Sequence, residues 1–459
     1  MQDWFPDLTT ETGPKYVAIA NVMIRDIDRG VLRPGDRLPP QRVLAERLGI
    51  DLTTVTKAYN EVRHQGLIEG GGRRGSFVNG RGTNPVEQEE DPRLDTGMNL
   101  PPEPTAGSFA ARYRAGVAEL LGRSGGLAAM QYQPSGGAPA DRAAAAAALR
   151  ARGIDAPDEM VLITSGGQNA LHAIVSATLD PRDKVCTAPH VYPGFIALAR
   201  RYDLELQPVA VDAEGLLPEA VEAAARAGAD AVYVVPNNDN PTTATMGCER
   251  RIAIAAIAEA YGMTIIEDDA YGQLAADPLP SLATLAPNRT WHIASTSKII
   301  SPGLRVAWLR APSIRQAWRL ASDLHETAIM APPLNAALTS LWLRDGSFDE
   351  LVAEVRAEAV ARQRLAASIL GDVPYAAQPE GYHLWVPLLA SASSADIVNA
   401  LRPAGLSVVP SDAFAVGVQT ASALRVSIGG GLSRDRLSRT LRLLDALLDQ
   451  DSRRKASIV

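Results

Sequence analysis

The run Ile293-Ala294-Ser295-Thr296-Ser297-Lys298 ends an apolar stretch in hydroxyl residues and a lysine, and Arg305 follows seven residues later behind Pro302-Gly303-Leu304. A lysine amine can condense with an aldehyde cofactor to form an imine. Hydroxyls and an arginine can hold that cofactor's phosphate. Taken singly, a lysine at such a spot is more commonly a surface residue.

Four further runs bear on the same chemistry. Thr164-Ser165-Gly166-Gly167-Gln168 follows Val161-Leu162-Ile163 and precedes an Ala/Leu-rich stretch. A strand, a small-residue turn and a helix start offer free backbone N–H groups to an anion, although a Gly-Gly pair alone is more commonly a plain turn. Ile265-Ile266-Glu267-Asp268-Asp269-Ala270-Tyr271 puts acids at the end of an apolar run. Asp268 paired with a pyridinium nitrogen gives one reason for them; a solvated strand end or a helix N-cap gives another. Val235-Pro236-Asn237-Asn238-Asp239-Asn240-Pro241-Thr242 is on its own a turn. Tyr192, in Pro189-His190-Val191-Tyr192-Pro193-Gly194, suits stacking on a ring as well as it suits an ordinary loop.

In this order, and with the late Leu424-Arg425-Val426-Ser427, these runs resemble the fold-type I aminotransferases over about 350 residues. The resemblance implies pyridoxal 5'-phosphate as cofactor and Lys298 as the lysine of its internal aldimine. It implies that Asp268 pairs with the pyridine nitrogen, that Asn240 and Tyr271 meet the ring hydroxyl, and that Tyr192 stacks on the ring. Gly167 and Gln168, in the turn opened by Gly166, are then expected to hold the phosphate with Ser295, Ser297 and Arg305. Tyr132, in the QYQPSGGAPADR segment, matches a residue that reaches a neighbouring subunit's phosphate, so a homodimer is expected. Arg425 matches the arginine that grips a carboxylate in a bidentate fork. Two positions depart from the pattern: Thr243 stands where the family usually has Gly, and Asp239 where Gln is frequent.

A second cluster suits DNA. Asp51 fits an N-cap, and Leu52 to about Gln65 reads as a helix with Val55, Ala58, Tyr59 and Val62 on one face. Thr53, Thr54, Thr56 and Lys57 occupy its first turns and point outward, where a recognition helix meets base edges. Before it, Tyr16 to Ile27 recurs at helical spacing up to about Gly30, and Pro39–Leu48 makes a short helix stopped by Gly49. After it, two short apolar runs flank Gly70-Gly71-Gly72-Arg73-Arg74-Gly75 and read as a hairpin wing. Residues 53–81 hold five Lys/Arg against two Glu, a local excess of +3 that suits phosphate contacts. The stretch PGDRLPPQRVLAERLGIDLTTVTKAYNEVRHQGLIEGGGRRGSFV resembles the winged helix-turn-helix of the GntR family. The resemblance implies that Arg42, Thr53, Thr54, Thr56, Lys57 and Arg74 touch an operator.

These residues need two different scaffolds. Residues 13–79 are expected to form the small winged unit. Residues 80–97, GRGTNPVEQEEDPRLDTG, are poor in large apolar side chains and read as a linker. From 98 to about 450, the runs MVLITS, KVCTAP, AVYVVP, TIIEDD and WHIAST alternate with helical stretches. This predicts an α/β unit with a mainly parallel sheet, and the resemblance adds a smaller C-terminal α+β part. The chain of 459 residues is long enough for two or three domains, with 46% hydrophobic residues and a net charge of −7. That charge argues against a surface that binds nucleic acid all over, not against one basic module. Two cysteines in this length fit a reducing cytoplasm and neither a disulfide framework nor a metal site. No signal peptide or membrane helix is expected. A GntR-type head on an aminotransferase-like body resembles the MocR subgroup of regulators, in which the body senses a small amine, an amino acid or the cofactor itself. A sensor is then expected rather than an enzyme, apart from a residual half-reaction. A working aminotransferase with an appended head is the alternative; sustained turnover without specific DNA binding would mark it.

Overall fold

Burial of period-3.6 apolar faces builds the N-terminal unit. In helix α1 (Lys15–Asp28) Ile19, Ala20, Val22 and Met23 are buried, and in α3 (Leu52–His64) Val55, Ala58, Tyr59 and Val62 are fully buried. Burying each larger aliphatic side chain contributes about 1.5–3 kcal/mol. The short helix α2 (Gln41–Leu48) ends at Gly49, whose φ of 62° is the left-handed conformation that glycine adopts cheaply. Asp51 opens α3: its Oδ1 accepts from the Thr53 amide at 2.7 Å. Strands β1 (Ile68–Gly70) and β2 (Ser76–Val78) pair antiparallel, Ile68 opposite Val78.

The computed structural model describes residues 4–8, 14–28, 31–33, 35–64, 67–70, 75–78, 97–103, 107–123, 125–371, 373–389, 392–417 and 421–456. Arg74, with most of the wing tip, and residues 80–96 of the expected linker lie outside them. The chain divides into two compact units, Met1–Arg93 and Leu94–Val459.

The second unit is built on a seven-stranded sheet. Its strands are β3 (Val161–Thr164), β4 (Lys184–Thr187), β5 (Glu205–Pro208), β8 (Ala231–Val234), β9 (Thr264–Asp268), β10 (Thr290–Ser295) and β11 (Ala307–Arg310), in the order β3-β11-β10-β9-β8-β4-β5. A small hairpin, β6 (Val211–Asp212) and β7 (Gly215–Leu216), lies between β5 and β8 in sequence. The five apolar runs singled out in the sequence are β3, β4, β8, β9 and β10. β3, β8, β10 and β11 are buried along their whole length, as a sheet covered by helices on both faces requires. β11 alone runs antiparallel, between β3 and β10, and aligns Ala307 with both Thr164 and Ser295. Side chains alternate along a strand. Glu267 and Asp268 therefore face opposite sides of β9. Glu267 ties down the buried N-terminus of the helix Leu282–Leu285 through Ser281 Oγ and two backbone amides. Asp268 is left for the other side.

A second sheet carries the C-terminal part: β12 (Ala376–Ala377), β13 (His383–Pro387), β14 (Ser407–Pro410) and β15 (Ala423–Ser427), all antiparallel, in the order β12-β13-β15-β14. Among the described residues, no helix is long and apolar enough to cross a membrane.

Candidate functional site

The parallel strands all end at one edge of the large sheet, where α/β folds bind ligands. β3 delivers Ser165-Gly166-Gly167 there, β8 the Asn237–Asn240 loop, β9 Asp268, and β10 Ser295, Ser297 and Lys298.

Gly166 has φ 84° and ψ 167°, a conformation essentially restricted to glycine, and the helix Gly167–Thr178 starts immediately after it. Arg305, itself at φ 52°, donates from Nη2 to the Ser165 carbonyl at 2.9 Å. Ser295 Oγ accepts from the Ser297 amide at 3.2 Å. Ser297 Oγ and Gln168 Oε1 are buried with no hydrogen-bond partner among the described residues. A buried unpaired polar group costs about 1–3 kcal/mol, so this corner is short of a polar partner. Gln168 Nε2 donates to the Gly194 carbonyl at 3.1 Å, which joins the turn to the Tyr192 loop.

Lys298 Nζ is part-buried and donates to the Asn99 carbonyl at 2.7 Å. Burial first, then the positive charge of Arg425, holds its pKa down at about 8. Asp268 accepts from Tyr233 Oη at 3.0 Å, and burial lifts its carboxyl to about 6. Burial also raises Tyr271 and Tyr192. Arg425, on β15 and 2% exposed, reaches Asn240 Oδ1 at 3.3 Å and the Gly97 carbonyl at 2.5 Å. Its guanidinium stands 5.3 Å from the centre of the Phe414 ring.

The two departures in the asparagine loop belong to one turn. Asp239 Oδ2 accepts from Thr242 Oγ1 at 2.6 Å and from the Thr242 amide at 3.3 Å. Thr243 donates its amide to the Asp239 carbonyl at 2.7 Å and sits at φ 66°, a region a glycine would occupy without strain.

The structure thus gathers Lys298, Asp268, Tyr271, Asn240 and Arg425 into one buried network beside Gly166, Gly167, Gln168, Ser295, Ser297 and Arg305. Tyr132 does not join them within one chain, being 81% exposed. Sequence reasoning missed Asn99, Tyr233 and His383, and quoted Ser427 beside Arg425 without giving it a role. Asn99 Nδ2 donates to Tyr271 Oη and to His383 Nδ1, each at 3.1 Å, and its Oδ1 accepts from Ser427 Oγ at 2.9 Å. Asn99 sits in an irregular stretch without a motif. His383 and Tyr233 lie inside strands that read as plain core.

The donor set fits pyridoxal phosphate. An unpaired hydroxyl and a glycine turn at a helix start await an anion, a lysine of depressed pKa is available to an aldehyde, and the buried Asp268 carboxyl makes no ion pair within 4 Å among the described residues. Among the described residues, no cluster of His, Cys, Asp and Glu could hold a metal ion.

On the N-terminal unit, Arg42, Thr53 and Lys57 are exposed, and Thr54 is half-buried. Thr56 is half-buried too, and its hydroxyl is already engaged with Gln41 Oε1 at 3.0 Å and the Leu52 carbonyl at 2.9 Å. It braces α2 against α3.

Residues 118–444 match the family described as Aminotransferase class I and II, and residues 15–78 match Bacterial regulatory proteins, gntR family. The chain is 28% identical over 452 residues to a Bacillus subtilis protein named uncharacterized HTH-type transcriptional regulator YdeF, covering 97% of each. It is 30% identical over 431 residues to the HTH-type transcriptional regulator TauR of Rhodobacter capsulatus, covering 84% of this chain and 86% of TauR. Among solved structures, LysN, an alpha-aminoadipate aminotransferase from Thermus thermophilus complexed with N-(5'-phosphopyridoxyl)-L-leucine, superposes with a TM-score of 0.69. It is 25% identical and covers 79% of this chain and 94% of LysN.

Proposed function

This chain belongs to the class I and II aminotransferase family and carries a gntR-family segment ahead of it, and we propose that it is a MocR-type, DNA-binding transcription regulator that binds pyridoxal phosphate and senses an amine or amino acid. One observation carries this reading. A largely buried lysine of depressed pKa stands with Asp268, Tyr271 and Arg425 in a chain whose first unit matches the gntR family.

Bound pyridoxal phosphate supplies an aldehyde that captures amines and a pyridinium ring that withdraws electrons. Lys298 would hold the aldehyde. Asp268 would keep a proton on the ring nitrogen, and Asn240 and Tyr271 would hold the ring hydroxyl. Tyr192 would stack on the ring. Gly167, Gln168, Ser295, Ser297 and Arg305 would hold the phosphate. Tyr132 completes the neighbouring subunit's site in a homodimer. Arg425 would take the effector's carboxylate. Such a ligand shifts the protein only by its differential affinity for two arrangements. Arg42, Thr53, Thr54 and Lys57, with Arg74 of the wing, hold the operator in the cytoplasm, and Thr56 serves mainly to position α3.

The intact polar constellation also favours a second reading, a working aminotransferase with a DNA-binding head. One experiment separates them. Full-length protein is loaded with pyridoxal phosphate, reduced with borohydride and mapped by mass. It is also footprinted on the DNA upstream of its own gene, with amines and amino acids titrated in. A regulator gives an adduct on Lys298 and a footprint that the effector alters. Sustained amino transfer with no footprint identifies the enzyme, and an absent adduct removes the cofactor from either account.

A further inference from the structure

Asn99 is 1% exposed, and both ends of its side-chain amide are bonded. The tautomer of His383 fixes which end is which. His383 Nε2 lies 3.0 Å from the Asp239 carbonyl, which only accepts, so Nε2 carries the proton and Nδ1 is an acceptor. Burial drives the His383 pKa down to about 3, so the ring gains no second proton near neutrality. The Asn99 group facing Nδ1 is therefore its NH2, and the same NH2 faces Tyr271 Oη. Ser427 Oγ, donating to Oδ1, holds the amide against a flip. An amide nitrogen donates and does not accept. Tyr271 Oη consequently accepts a hydrogen bond from Asn99 and keeps its own proton to donate to another acceptor.

We propose that Asn99 is a positioning residue for Tyr271: by donating to Oη and filling His383 Nδ1, it leaves the phenol proton to be given to the cofactor's ring oxygen. This rests on the reading above that Tyr271 meets the ring hydroxyl. The groups around Tyr271 agree with it. The Asp268 oxygen Oδ2 already accepts from Tyr233. Tyr382, its ring centre 5.8 Å away, donates its own proton to the Lys298 carbonyl at 2.7 Å and also hydrogen-bonds with Tyr271, so its oxygen is the acceptor a bound ring oxygen has to outcompete. Arg425 carries only donors, and its charge acts on Tyr271 against those of Asp268 and Asp239. His383 Nδ1 is the acceptor that removing the Asn99 amide sets free, its ring centre 5.8 Å from that of Tyr271.

The test is a pH titration of the absorption band of lysine-bound pyridoxal phosphate in the full-length protein. A donor on the ring oxygen favours its anion and lowers the midpoint. Asn99→Ala lets His383 Nδ1 accept a hydrogen bond from Tyr271 in competition with the ring oxygen, and the midpoint rises by about one pH unit. In a Tyr271→Phe background the same substitution shifts it by less than about 0.3 units, the mark of coupling between the two side chains. Equal shifts in both backgrounds, or none in either, overturn the assignment. If Asn99→Ala does not fold, the near-isosteric Asn99→Asp is read in the same two backgrounds. Its shift has to be larger with Tyr271 present, and equality again overturns the proposal. Wild-type protein that forms no lysine-bound band overturns the cofactor reading itself and this inference with it.

Discussion

A side-chain carbon on Gly166 would stand 2.6 Å from Nη2 of Arg305. The glycine is therefore bound up with the position of the arginine, and the pair forms the floor of the corner that holds Ser297 and Gln168.

Gly166→Ala forces a non-glycine residue into a conformation that costs about 1–3 kcal/mol and displaces Arg305. The affinity for pyridoxal phosphate is expected to fall by about tenfold or more, while that for pyridoxal, which has no phosphate, changes little. Absorbance titrations with the two compounds check this. Equal losses for both would put the phosphate elsewhere.

Asp268 titrates near 6 in the folded protein, above the ordinary value of 3.8. Between those values the native state binds more protons than the unfolded chain, so this group lowers stability as pH rises through the window. The cost is fully present above about pH 6 and absent below about pH 4. Cofactor-free Asp268→Asn is therefore expected to melt higher than wild type at pH 7.5, by roughly 1–3 kcal/mol of stability, with the advantage fading toward pH 4. The same variant loses affinity for pyridoxal phosphate. Calorimetry across pH checks the first effect and titration the second.

Arg425→Lys keeps the charge and loses the planar fork. Amino acid effectors are expected to bind about ten- to a hundredfold more weakly, on the scale of lost charge-assisted hydrogen bonds of about 1.5–3 kcal/mol. Amines without a carboxylate keep their affinity. Spectral titration of the loaded protein with alanine and with ethylamine makes the comparison, and parallel losses would deny Arg425 this role.

Lys57 and Thr56 are adjacent in sequence and are expected to behave differently. Lys57→Ala weakens operator binding and, if it meets a phosphate, reduces the salt slope of log K by about one. Its melting temperature stays unchanged. Thr56→Val removes the bond to Gln41 and lowers the stability of the N-terminal unit by about 1 kcal/mol. Filter binding at several salt concentrations, with thermal melts, distinguishes them.

Local pattern carried much of this molecule. Val55, Ala58, Tyr59 and Val62 announce an inward face by their spacing, and all four are fully buried. The strand ends bearing Gly166, Asp268 and Lys298 announce themselves because an apolar run stops abruptly in polar or small residues. What stayed hidden depends on topology. Asn99 and His383 are 284 positions apart, and no periodicity brings them together. The four residues of β11 are too few to declare that they insert antiparallel between β3 and β10. Thr56 was expected to face outward with its neighbours, because its spacing could not reveal a hydroxyl claimed by Gln41.

The carbonyls of Gly97 and Asn99 are each held by a cationic side chain, Arg425 and Lys298. In sequence, this stretch follows residues 80–96, the expected linker. On the function proposed above, this is a mooring made at two side chains that small molecules are also expected to engage. Whatever free energy such a molecule spent in loosening the mooring, a pull on the linker would return as a change in how tightly that molecule is held.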